Sequence, residues 1–459
     1  MNAGRHLVAA GGLVVLAMAS IRGAQAAEAQ SPAGSASARY VFLMIGDGMG
    51  PGQRELAERW LKGRTPEAVG LAMNTLPVRA AIGTDNCDGG TTDSAAAATA
   101  LARGVKTKSR RIGIGADGKP ARSIAADVAA RGMGVGILTD VPANHATPAG
   151  FYGVTDSRFA YSKIAMQLPK TGYDFFAGSG IEWDLKEPMI EEFFVAAGKA
   201  GYAVAEGSEG LAALPAAGKA VAVWSRTRPD ASEYIDVAGG IVPDRAGEMV
   251  IGRFVAAAIA RLSQNPKGFF IMAEGGRIDK MGHLNDSSAM VMEILAFDAA
   301  VRMALAFRDA HPEDTLVVVT ADHETGGLSV SPSVSDAELH RVLSARRVSR
   351  RTLAGEITGA MKSGLPFDAA LKKLAPKADL SVLPAGAMDE LRTAWTSDDR
   401  VADRVVAALD AAAGVAWKSN DHTPVDVPLT AIGVGADRFA GNYPNTGVHD
   451  RILALLPPL

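Results

Sequence analysis

The chain has 459 residues, of which 48% are hydrophobic and 6% aromatic, so it can bury a large core and exceeds one minimal domain. Its formal net charge of −3 argues against nucleic acid as the main partner. Cys87 is the only cysteine, which excludes a disulfide within the chain.

The first 26 residues have the pattern of a signal peptide. Arg5 precedes an apolar stretch, 7–21, and small residues at 24–26 follow it. The alternative is a membrane anchor, but this stretch contains two glycines and is short for a span. We therefore predict a signal peptide at 1–26, a flexible leader at 27–39, and a periplasmic or secreted protein without a membrane span.

Apolar runs predict the strands of a parallel sheet. They occur at 41–45, 135–138, 269–272, 316–319 and 429–434. Helical patterns lie between them, at 123–131, 248–262, 288–308 and 401–412. This alternation predicts an α/β fold, with a central, mostly parallel sheet flanked by helices on both faces. Residues 331–414 do not show this alternation of strands and helices and are predicted to form an inserted cap. The main domain is then expected to comprise 40–330 and 415–459.

Asp47 follows the first predicted strand and lies among the glycines of segment 46–50. Ligands bind at the carboxyl ends of strands in open α/β sheets, and glycines let backbone and metal approach a carboxylate closely. A Gly-Asp-Gly turn alone is weak evidence. It gains weight because later segments repeat the pattern of a strand followed by residues of metal-ligand type.

Ser94 begins an alanine-rich helical pattern and directly follows Asp93. In one interpretation, either residue is simply the N-cap of this helix. In the other, Ser94 is a nucleophile, because a helix N-terminus holds anions through its free N–H groups and its dipole. A serine there can attack a phosphoryl group without a histidine base, since a metal ion lowers the hydroxyl pKa directly.

Three later segments carry candidate zinc ligands. Asp279 and His283 are four residues apart and share one face if helical, which suits zinc or an exposed hydrogen-bonded pair. Asp322 and His323 follow a predicted strand and can ligate one metal or bridge two. His422 is a single histidine in a predicted loop. It becomes a stronger candidate ligand because the other clusters leave a zinc one ligand short.

Further candidates supply oxygen ligands and a phosphate contact. Glu274 follows the predicted strand 269–272. Thr147 offers a hydroxyl and a carbonyl, which are hard donors of the kind that magnesium accepts. Arg158 can form a fork to two phosphate oxygens, or it is a surface charge.

In their order along the chain and in their residues, these motifs resemble those of alkaline phosphatases over about 40–330 and 415–455. The resemblance implies a phosphomonoesterase for small phosphate monoesters, with a catalytic α/β domain, a phosphoserine intermediate at Ser94, two zinc ions and one magnesium ion; with the predicted signal peptide, the enzyme is expected to be exported. It implies Asp279, His283 and His422 for the first zinc, Asp47, Asp322 and His323 for the second, Asp47, Thr147 and Glu274 for magnesium, and Arg158 for phosphate.

Two positions depart from the most familiar form of the pattern. His145 stands where some members carry aspartate and others histidine, so the third site is open to zinc as well as magnesium. Lys280 stands where some members have histidine or tryptophan, and we expect it to contact phosphate through water. The segment 331–414 matches nothing in the pattern, so substrate preference is open, as is the oligomeric state, with a homodimer as one option.

Two other function classes fit the sequence less well. A sulfatase would carry Cys/Ser-x-Pro-x-Arg, which 94–98 does not fit, and diesterases of this superfamily use a threonine in a different setting. Arg158 also favours a monoester, which has more non-bridging oxygens. A non-enzymatic phosphate- or metal-binding protein would not need Ser94.

Overall fold

The computed structural model describes residues 37–459 except 66, 68, 185–189, 227–248 and 396–399. The predicted signal peptide and residues 27–36 of the leader lie outside the described residues, as do Glu248 of one predicted helix and 396–399 of the predicted cap. Ala38 is buried and its N–H donates to Leu455 O at 2.7 Å, so the end of the predicted leader belongs to the folded unit. Within the described part of the chain, no helix has both the length and the apolar character needed to cross a bilayer.

A ten-stranded sheet forms the centre of the described chain. Its strands are β1 (Tyr40–Gly46), β2 (Val78–Gly83), β3 (Gly134–Thr139), β4 (Phe175–Gly178), β5 (Ala203–Glu206), β6 (Ala220–Val223), β7 (Phe269–Gly275), β8 (Thr315–Ala321), β13 (Val427–Gly433) and β14 (Gly441–Pro444). Four short strands form two further pairs: β9 (Glu324–Thr325) with β12 (His422–Thr423), and β10 (Ser329–Val330) with β11 (Val415–Ala416).

The strand order across the main sheet is β14-β2-β13-β8-β1-β7-β3-β4-β6-β5. Every neighbouring pair is parallel except those of β13, which runs antiparallel to both β2 and β8. All five predicted strands are present, and the prediction of a mostly parallel sheet is confirmed. The central strand β1 is buried along its whole length, as expected for a parallel strand covered on both faces.

Helices flank this sheet. They are α1 (Pro51–Lys62), α2 (Ser94–Arg103), α3 (Ile124–Ala130), α4 (Ala146–Gly150), α5 (Tyr161–Ala165), α6 (Ile190–Lys199), α7 (Gly207–Ala212), α8 (Val250–Leu262), α9 (Arg277–His283), α10 (Ser287–Ala310), α11 (Asp336–Ser344), α12 (Arg350–Lys362), α13 (Phe367–Leu374), α14 (Ala385–Ala394), α15 (Val401–Ala412) and α16 (Thr446–Leu453). Short 3₁₀ turns occur at Ala72–Thr75, Leu168–Lys170, Leu380–Val382 and Ala436–Phe439.

The described residues of the segment between β10 and β11 contain the helices α11 to α15. Arg346 anchors it, because this fully buried guanidinium forms an ion pair with Asp286, the N-cap of α10. Removing either partner would leave a buried charge uncompensated. The assignment of 331–414 as a cap stays a prediction.

Gly268, just before β7, offers a direct test of how tightly the sheet is packed. Its φ is +90°, and an added Cβ would lie 1.9 Å from Arg39 O. Gly172 is the matched control, because its φ is +73° and no heavy atom lies within 4 Å of the added Cβ. Backbone strain alone costs roughly 1–2 kcal/mol, and forced overpacking adds roughly 1–3 kcal/mol. We expect Gly268→Ala to lower the melting temperature clearly more than Gly172→Ala, and equal losses in calorimetry would contradict the rigid contact.

Candidate active site

The predicted ligands meet at the carboxyl edge of the central strands. Asp47 follows β1, Glu274 is the second-last residue of β7, and Asp322 and His323 follow β8. Gly46 at the end of β1 pairs in register with the ends of β7 and β8, so the three strands finish at the same level. Parallel pairing therefore brings together side chains that are far apart in the sequence.

Ser94 is buried at the first position of α2 and faces this cluster. Its Oγ lies 3.2 Å from His323 Nε2 and 3.4 Å from Arg158 Nη1. The N-cap is Asp93, whose Oδ1 accepts the Ala96 N–H at 3.1 Å. Asp93 is therefore the N-cap of the helix, and the Ser94 hydroxyl remains directed at the cluster.

Two groups hold the Arg158 guanidinium beside Ser94. Nη1 lies 3.1 Å from Asp93 Oδ2, and Nη2 lies 3.1 Å from His145 Nε2. The side chain is only 15% exposed, which does not fit a solvated surface charge. A fixed, partly buried guanidinium next to a serine hydroxyl is suited to binding an oxyanion.

Asp279, His283 and His422 converge on one point. His283 Nε2 lies 3.3 Å from Asp279 Oδ2, and His422 Nε2 lies 3.6 Å from Asp279 Oδ1. The ring of His323 stacks on His422 with centroids 3.7 Å apart. Asp279, His323 and His422 also present ligand atoms that all lie within 4.8 Å of one another.

The hydrogen-bond partners of two of these histidines indicate what the group can hold. His283 Nδ1 lies 2.5 Å from Asn420 O, and His422 Nδ1 lies 3.0 Å from Thr92 O. Carbonyls only accept, so in the neutral rings each Nδ1 carries the hydrogen and each Nε2 has a lone pair. The two Nε2 atoms face each other at 3.2 Å, an arrangement that suits a shared proton or a bound cation such as zinc. The hydrogen bond to Asp279 raises the pKa of His283 to about 9, so protons compete with metal for this nitrogen.

A second group comprises Asp47, Asp322 and His323, all completely buried. His323 Nε2 lies 3.3 Å from Asp47 Oδ1 and 3.4 Å from Asp322 Oδ2. Both carboxylate oxygens of Asp47 lack a hydrogen-bond partner among the described residues. Buried carboxylates without donors are costly, so this donor set fits a bound cation.

The third group comprises Asp47, His145 and Glu274. His145 Nδ1 lies 3.9 Å from Glu274 Oε1, and neither atom has a hydrogen-bond partner among the described residues. Thr147, two residues after His145 in α4, is also buried with its hydroxyl unpartnered in the described chain. One imidazole and several oxygens are a mixed donor set, which suits zinc or magnesium.

Electrostatics also favours bound cations beside Asp47, Asp322 and His323. Burial, followed by the charges of Asp322, Asp279 and Glu274, raises the pKa of Asp47 well above its usual range. Burial and the charge of Asp279 raise the pKa of Asp322 to about 8. Burial also lowers the pKa of His323 well below its usual range, which keeps the ring neutral and able to ligate. Cations in the cluster would allow these mutually repelling carboxylates to ionise together.

Comparison with known proteins identifies the family of this chain. The alkaline phosphatase family model matches residues 38–179 and 243–457. The chain belongs to the alkaline phosphatase family. It is therefore a phosphomonoester hydrolase, and the metal dependence of alkaline phosphatases agrees with the three groups of ligands.

Relatives and solved structures of alkaline phosphatases cover nearly the whole chain. Alkaline phosphatase 4 of Bacillus subtilis is 29% identical over 439 residues, which span 92% of this chain and 89% of the relative. Alkaline phosphatase 3 of the same organism is 28% identical, with 91% and 89% covered. The crystal structure of a cold-active alkaline phosphatase from Shewanella sp. superposes with a TM-score of 0.76 at 27% identity, with 91% of this chain and 100% of that one covered.

Several residues that support the alkaline phosphatase site were not singled out from the sequence. The Thr325 hydroxyl donates to Asp279 Oδ1 and lies 3.3 Å from His323 Nδ1. Asp140 Oδ1 accepts the N–H groups of Gly276 and Arg277 at 2.7 and 3.1 Å, which fixes the turn between β7 and α9. Such partners orient ligands, but short polar residues beside a strand end carry no distinctive sequence pattern.

Lys280 lies on α9, immediately after Asp279. Burial is the main cause that lowers the pKa of His145, and the charges of Arg158 and Lys280 contribute to the same shift. The ammonium group therefore acts on the third group electrostatically. Its predicted water-mediated contact with phosphate stays a prediction.

Proposed function

We propose that this alkaline phosphatase is an exported enzyme that transfers the phosphoryl group of a monoester first to Ser94 and then to water. One observation carries the proposal: the buried Ser94 hydroxyl lies between the metal-ligand cluster and the Arg158 guanidinium. Acid quenching during turnover, followed by peptide mass analysis, tests it, because phosphate should be found on Ser94. Phosphate on any other residue would contradict the proposal.

The metal assignment follows the three groups of ligands. We assign Asp279, His283 and His422 to one zinc, Asp47, Asp322 and His323 to a second, and Asp47, Thr147 and Glu274, with His145 beside them, to a third ion that is magnesium or zinc. When bound, these ions supply positive charge that activates the serine hydroxyl and stabilises the departing oxygen.

The protein's own residues position the reaction. Ser94 Oγ forms the bond to phosphorus while the ester oxygen leaves from the opposite side. Arg158, held by Asp93, binds non-bridging oxygens of the phosphoryl group. Water then cleaves the phosphoserine, releasing phosphate and restoring the Ser94 hydroxyl. The same environment favours monoesters over diesters, because a diester has one fewer negative oxygen for the guanidinium.

Location and partners remain part of the proposal. The pattern of residues 1–26 supports export to the periplasm or to the medium. Small phosphate monoesters are the proposed substrates, nucleic acid is not a stable partner, and a homodimer is one option for the assembly. Fractionation of cells that express the full-length chain, with N-terminal sequencing of the mature protein, tests the location.

Arg158→Ala is expected to weaken binding more than chemistry. A charge-assisted bidentate contact is worth roughly 1.5–3 kcal/mol, so kcat/KM for a monoester should fall on the order of tenfold to a hundredfold. Inhibition by inorganic phosphate should weaken in parallel, and diester hydrolysis should suffer less. Arg122→Ala is the control, because Arg122 is 59% exposed and pairs with Asp127 away from the cluster. Unchanged monoester kinetics in Arg158→Ala would remove Arg158 from the phosphate site.

A further inference from the structure

A cationic loop follows α2 and returns to the active site at Arg110. Lys106 pairs with Asp85 at 3.2 Å, and Arg111 pairs with Asp156 at 3.4 Å. Arg110 differs from both: its side chain is exposed, and no carboxylate in the described part of the chain lies within 4 Å of its guanidinium. The loop therefore pairs Lys106 and Arg111 with carboxylates and leaves the Arg110 guanidinium available at the edge of the site.

The backbone of Arg110 forms hydrogen bonds with Asp93 and with Arg158, the proposed phosphate-binding residue. Its N–H donates to Asp93 Oδ1 at 2.9 Å, and its carbonyl accepts the Arg158 N–H at 2.8 Å. Its φ is +72°, a left-handed conformation that is unfavourable for arginine and easy for glycine. An arginine kept in this strained position next to a reaction centre suggests a use for its side chain.

An aromatic surface adjoins Arg110. Phe159 directly follows Arg158 in the chain and is 52% exposed. The Arg110 Cζ lies 5.8 Å from the centre of the Phe159 ring, and the Tyr161 ring meets Phe159 edge-on at 6.4 Å. We call Arg110, Phe159 and Tyr161 the Arg110 rim. It combines a cation that has no acidic partner among the described residues with exposed aromatic area.

We propose that the Arg110 rim is a leaving-group subsite, which selects monoesters whose leaving group is an aromatic ring bearing a second anionic substituent. This inference rests on the proposed function. With phosphate bound by Arg158, the leaving group has to extend away from Ser94 towards the mouth of the site. Phe159 offers it an apolar face, and the Arg110 guanidinium offers a fork for a carboxylate or a similar anion.

The test uses two substrates that differ mainly in charge. 4-Carboxyphenyl phosphate and 4-carbamoylphenyl phosphate have leaving groups of similar size, and only the first carries the second anion. Arg110→Ala should lower the ratio of their kcat/KM values roughly threefold to tenfold, which is the range for a partly exposed, charge-assisted contact. Arg110→Lys should retain part of the preference, because it keeps the charge without the fork. Phe159→Ala should lower kcat/KM for both aryl substrates relative to ethyl phosphate.

Lys119→Ala is the matched control for long-range attraction. This exposed lysine lies in the same loop but near the other end of α2, where Arg103 donates to Ala121 O. An unchanged ratio in Arg110→Ala, or an equal change in Lys119→Ala, would overturn the inference alone. Absence of hydrolysis of all three substrates by the metal-loaded wild type would overturn the proposed function and the inference with it.

Discussion

Replacement of Ser94 by alanine is expected to abolish turnover and to leave the fold and the metal content intact. The substitution removes the proposed nucleophile, so kcat should fall by roughly a thousandfold or more. The cost in stability should be small, because Asp93 provides the cap of α2 and, among the described residues, the Ser94 hydroxyl has hydrogen-bond contacts only with His323 and Arg158. Alanine is also favourable within a helix.

Three measurements on one preparation separate loss of chemistry from loss of structure. Steady-state rates give turnover, calorimetry gives the melting temperature, and atomic emission gives bound metal per chain. Ser263→Ala, at an exposed serine after α8, is the control for the purification and the assays. Near-normal turnover of Ser94→Ala, or acid-stable phosphate that still appears on the variant, would exclude Ser94 as the nucleophile.

Loss of metal is expected to have the second large effect on activity. Among single substitutions, replacement of Asp47 should cause the greatest loss. Asp47 belongs to two of the three ligand groups, and both of its carboxylate oxygens lack other partners among the described residues. Asp47→Ala should lower kcat/KM by roughly a thousandfold, the scale of several kcal/mol of lost charge stabilisation. His283→Ala should cost less, because His283 is 41% exposed and serves one group.

Chelation provides the parallel test on the unmodified enzyme. Exhaustive treatment should remove activity and bound metal together, and zinc with magnesium should restore both. Metal content after gel filtration should fall further in Asp47→Ala than in His283→Ala. Full activity in protein verified to be free of metal would refute the role of the three groups, and equal metal loss in the two variants would refute the shared role of Asp47.

The sequence was most informative where a ligand directly follows a central strand. Asp47, Glu274 and Asp322 follow apolar runs that could be recognised without any structure, and parallel pairing of β1, β7 and β8 then dictates that they meet. His145 and Thr147 were also recognisable, because they follow β3, which pairs with β7. Position at the end of a buried parallel strand is a local property, so the sequence can report it.

Contacts between distant loops were not predictable in this way. Asp93 was expected either to cap a helix or to flank the nucleophile, and its ion pair with Arg158 depends on how two loops pack. His323 contributes to two ligand groups because its ring reaches both Asp47 and His422. The spacing of these residues in the sequence does not predict the two contacts. Short strands such as β5 and β6 were also missed, since four residues rich in alanine resemble many loops.

The position of β13 has a consequence for how the molecule is made. This strand lies between β2 and β8, yet it is synthesised near the end of the chain, and Val427 pairs with Ile82 from near the beginning. A nascent chain that has not reached residue 427 therefore carries two strands, β2 and β8, whose facing edges have no partner. Such edges are slow to close and prone to wrong pairing. Because His422 comes just before β13, the proposed ligand set would be completed at almost the same moment as the sheet, and a metal held by all of its residues would bind only after this late part of the chain is made.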